Sequence, residues 1–70
     1  MREETMIIGK ETISFDPDSP NVVSTLSGRC VTFASFAQWC GDVEVTHDNV
    51  EKLRSDWKHD TIKKIRDYFS

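Results

Sequence analysis

The segment after Thr46 limits the fold more than any other part of this chain. Val50, Leu53, Trp57, Ile62, Ile65, Tyr68 and Phe69 fall within an arc of roughly 180° when residues are spaced about 100° apart. The opposite side carries Lys52, Ser55, Asp56, His59, Lys63, Arg66 and Asp67. Lys52/Asp56, Asp60/Lys64 and Lys63/Asp67 are spaced i, i+4, which brings opposite charges together on a helix. Thr46 is a good N-cap, and Asp48 would then lie in the first turn, where the helix dipole favours a negative charge. The pattern predicts one amphipathic helix over residues 47–69, with a break near Asp60 as the alternative. Such a helix has one apolar stripe and must lay it on something.

The rest of the chain supplies strand signals. Met6-Ile7-Ile8 and Thr12-Ile13-Ser14-Phe15 flank Gly9-Lys10, which predicts a hairpin. Two prolines in Asp16-Pro17-Asp18-Ser19-Pro20 mark a loop. Residues 21–26 and 29–32 flank Ser27-Gly28 and predict a second hairpin. Phe33, Phe36, Ala37 and Cys40 then follow at helical spacing, with Thr32 as the expected cap and Gly41 as the expected end. Asp42 to Val45 reads as a short connector or strand. The expected architecture is α+β: a small antiparallel sheet of one or two β-hairpins, then a short helix and a long C-terminal amphipathic helix.

At 70 residues, the whole span 1–70 makes one small domain. A chain of this size buries a smaller fraction of its surface than larger domains do, and self-association is one remedy. No apolar run approaches the roughly 20 residues of a membrane span, and Met6 to Ile8 is too short for a signal-peptide core. The expectation is a cytoplasmic protein with Cys30 and Cys40 reduced. The net charge is −3, unevenly spread. Residues 1–28 carry five acids against two bases, while residues 51–70 carry six bases against four acids. An acidic body argues against generic nucleic-acid binding, whose affinity comes mainly from cations meeting phosphates.

No pattern here places a catalytic centre, a cofactor or a metal. The soft ligands Cys30, Cys40, His47 and His59 are separated by nine, six and eleven residues, so none pairs into a rigid half-site for zinc. A Cys40–His47 nucleophile and base, oriented by Asp42 or Asp48, would need a pocket that so small a chain has little room for. The glycines Gly9, Gly28 and Gly41 stand alone and form no phosphate loop.

Two functional readings survive. The first is a non-enzymatic, protein-binding regulator or inhibitor, a format common among phage and mobile-element proteins that act on host machinery. That step is analogy of size and charge. Its expected interface is Trp39 with the acids Asp42, Glu44 and Asp48, because tryptophan is enriched at binding hot spots. The alternative is a small helix-turn-helix-like DNA binder built on residues 33–53, with Lys52, Arg54 and Lys58 meeting nucleic acid. Against it, the connector is longer than that motif uses, and Asp48 and Glu51 stand where a recognition helix would approach phosphate.

Overall fold

A computed structural model describes residues 3–70; Met1 and Arg2, counted above in the N-terminal charge, lie outside the described residues. Four strands form one antiparallel sheet in the order β1-β2-β3-β4: β1 Glu4–Ile8, β2 Glu11–Asp16, β3 Ser19–Thr25 and β4 Cys30–Thr32. A short helix, α1 (Phe36–Cys40), and a long one, α2 (Val50–Phe69), complete the α+β fold.

Each turn has a local cause. Gly9-Lys10 joins β1 to β2 as a two-residue loop, with Ile8 opposite Glu11 and Gly9 at φ 60°. The proline-rich stretch is a turn, not a loop: only Pro17-Asp18 separate β2 from β3. Asp16 closes it by accepting the Asp18 backbone N–H at its carboxylate (2.9 Å), the local turn chemistry aspartate favours. Pro20 is buried within β3, where a register shift past Phe15 relieves it of ladder duty. The β3–β4 turn is wider than a two-residue loop. Thr25 N–H donates to the Arg29 carbonyl (2.9 Å), and the buried Thr25 hydroxyl accepts the Arg29 N–H (3.1 Å).

The core lies between the inner sheet face and the C-terminal half of α2. Ile13, Phe15, Val23 and Ile65 form its buried centre, with Met6, Ile8, Phe33, Ile62 and Phe69 packed around them. The buried line along α2 is Trp57, Thr61 and Ile65, so the stripe is centred one position away from Ile62 and leaves Tyr68 mostly exposed. The N-terminal half of α2 meets α1. Trp57 is 3% exposed, its ring lies 5.6 Å from that of Phe36, and its indole N–H donates to the Ala34 carbonyl (2.9 Å).

The helix starts differ from the sequence expectation. Thr32 ends β4, and Ser35 caps α1 through a reciprocal box: its hydroxyl accepts the Gln38 N–H (3.3 Å) and its N–H donates to the Gln38 side chain (3.1 Å). Phe33 therefore enters the core ahead of the helix rather than from it. α2 begins at Val50 after a turn over residues 46–49, so Asp48 lies before the helix and Glu51 takes the first-turn position. Asp60 sits inside a continuous helix, so there is no break.

Candidate functional site

Leu26 and Ile7 are the most exposed large apolar side chains, each alone on its turn or strand, whereas the connector between the helices, residues 41–49, exposes two close together. Gly41 ends α1 with φ 59°, a conformation a side chain would strain. The chain then presents Val43 (55% exposed) and Val45 (42% exposed) between the exposed acids Asp42, Glu44 and Asp48. Val43 and Val45 are separated by one residue, and Val45 also lines a depression. That depression, about 230 Å³, is lined by Val45, Thr46, His47 and Val50.

The connector has a defined shape. The Asn49 side chain accepts the Thr46 backbone N–H at 2.7 Å and donates to the Glu44 carbonyl at 3.0 Å. Val43 N–H donates back to the Cys40 carbonyl (3.0 Å), and Val50 N–H to the Thr46 carbonyl (2.9 Å). A loop held this way loses less conformational freedom on binding than a free one.

Of the residues the sequence pointed to, Asp42, Glu44 and Asp48 do lie together on this loop. Trp39 lies beside it but is half-buried, and its indole N–H donates to the Asp60 carboxylate in α2 (3.1 Å). Its ordering role is therefore to tie α1 to α2. Lys64 also pairs with Asp60 (3.0 Å). Together the Lys64 and Trp39 donors hold that carboxyl below its ordinary value of 3.8.

Two of the three basic residues of the DNA reading are separately engaged. Lys58 pairs with Asp18 at the β2–β3 turn (3.2 Å), and the Arg54 guanidinium stands 5.6 Å from the Phe36 ring centre. Lys52 is exposed on the outer side of α2. Cys40 is buried and Cys30 exposed, and both are free thiols. Among the described residues, no group of three His, Cys, Asp or Glu side chains could hold a metal ion. Nor, among them, is any helix long and apolar enough to cross a membrane.

The exposed valines were missed as a feature because Asp42-Val43-Glu44-Val45 alternates like a half-buried strand. A second concavity, about 460 Å³, lies on the outer sheet face among Glu3, Ser14, Asp16, Ser19, Asn21, Val22 and Ser24. No protein family, no curated protein and no solved structure matches this chain.

Proposed function

We propose that this protein is a non-catalytic regulator or inhibitor that works by binding another protein through the connector between α1 and α2. The observation that carries this is the exposure of Val43 and Val45 between acidic residues, on a loop whose shape the Asn49 side chain fixes. The partner this chemistry fits has a small apolar cleft rimmed by lysine or arginine. The valines would fill the cleft, and Asp42, Glu44 and Asp48 would steer encounter and reject acidic surfaces. The acidic character of the whole chain acts in the same sense, and disfavours phosphate backbones as partners.

The test is capture of a partner from a nuclease-treated lysate of the native host. Wild-type protein is compared with Val43→Asp/Val45→Asp and with Asp42→Lys/Glu44→Lys, all checked for unchanged melting. The expected result is a protein retained by wild type, lost with the valine pair and weakened by the charge reversals and by salt. Capture indifferent to both sets, or retention of nucleic acid alone, would contradict the proposal.

A further inference from the structure

Among the described residues the sheet ends on β1, and this edge carries few of the usual protections, its one charged side chain being Glu4 at the strand's start. β4, the other edge, has only three residues. β1 has five, pairs with β2 in unbroken register and contains no proline, lysine or bulge. Which of its backbone groups face outward follows from the ladder. A strand residue points its N–H and C=O to the same side, and successive residues alternate. Thr12 spends its carbonyl on the Leu26 N–H of β3 (2.9 Å). Its neighbours Glu11 and Ile13 therefore face β1, where their partners are Ile8 and Met6. That leaves the N–H and C=O groups of Thr5 and Ile7 pointing away from the sheet.

The side chains along this edge suit one occupant. Ile7 is 76% exposed, and Met6 and Ile8 are only half-covered on the inner face. The strand begins with Glu3 and Glu4 and turns at Lys10. We infer that β1 pairs antiparallel with β1 of a second copy of this chain, joining the two sheets edge to edge. Antiparallel pairing centred on Ile7 sets the two Ile7 residues side by side with reciprocal hydrogen bonds. It sets Met6 against Ile8 of the other copy, which continues the apolar inner layer, and brings the acidic start of each strand to the Lys10 end of its partner. Parallel pairing would instead place acid beside acid. Cross-strand pairs of these kinds are what stabilise a sheet.

This interface is separate from the connector, so the two readings fail independently. Sedimentation of the untagged full chain, from low micromolar to near-millimolar concentration, should show a monomer–dimer equilibrium. Ile7→Lys, at an exposed position, should keep the melt and weaken the dimer about tenfold or more. Lys10→Glu should also weaken it, and mixing that variant with Glu3→Lys/Glu4→Lys chains should restore a mixed dimer. Val43→Asp/Val45→Asp should dimerise like wild type. A monomer throughout the range would overturn the inference, as would a dimer indifferent to Ile7→Lys or one abolished by the connector substitutions.

Discussion

Trp57 does two jobs that its neighbours cannot share. Its ring fills the space between α1 and α2, and its N–H satisfies the Ala34 carbonyl just before the α1 cap. Trp57→Ala removes both and leaves a cavity, at a cost of about 3–5 kcal/mol. A domain of this size has little more stability than that, so the variant should be largely unfolded. Trp57→Phe keeps most of the ring but strands the carbonyl, which costs roughly 1–3 kcal/mol. Urea melts of the two variants check both values, and a wild-type melt for Trp57→Ala would contradict this packing. The sequence singled out Trp57 by its place on the apolar arc. It could not single out Thr61, which is 2% exposed at the centre of the buried line, because a threonine in a helix pattern reads as surface.

At the scale of elements, the weak joint is between α1 and α2. α1 has five residues, too few to hold itself, and its contacts run through Phe36, Trp39 and Trp57. The Lys64 and Trp39 donors to the Asp60 carboxylate make this joint sensitive to acid. The folded state holds the Asp60 carboxyl below 3.8, and unfolding returns it to its ordinary value. Its stabilisation is thus intact above about that pH and disappears as pH falls through the lower folded value. Asp60 is partly solvated, so the effect is small. Asp60→Asn should lower the melting temperature slightly at neutral pH and match wild type in acid, so that the acid side of the plot of melting temperature against pH is flatter. An unchanged acid limb would show that the joint does not depend on this carboxylate.

The elements also show where sequence patterns stop being informative. The Gly9-Lys10 hairpin and the existence of α2 were legible because turn chemistry and periodicity are local. The helix starts were not. Thr32 and Thr46 are as good caps as Ser35 and Asn49 in isolation, and the choice falls to β4, which claims Thr32, and to the 46–49 turn. The proline pair suggested a break, whereas Pro17 suits a tight turn and Pro20 meets a register shift. Of the candidate site, the acids were legible by type. Their shared loop, and the valines between them, needed the folded chain.

At the scale of the whole molecule, different surfaces carry different roles. The inner sheet face and α2 hold the fold, the β1 edge is the surface proposed to pair with a second copy, and the connector is the surface proposed to bind a partner protein. The molecule extends 40 × 22 × 15 Å, long enough to keep the connector apart from the Gly9 turn, which lies against the C-terminal end of α2. The most direct measurement is an amide spectrum of isotope-labelled protein, recorded before and after addition of the captured partner. Shifted or broadened signals should concentrate in residues 41–50, led by Val43, Val45 and His47, with the β-sheet amides unmoved. Perturbations centred on the outer sheet face or on Lys52, Arg54 and Lys58, with the connector unaffected, would contradict the proposal.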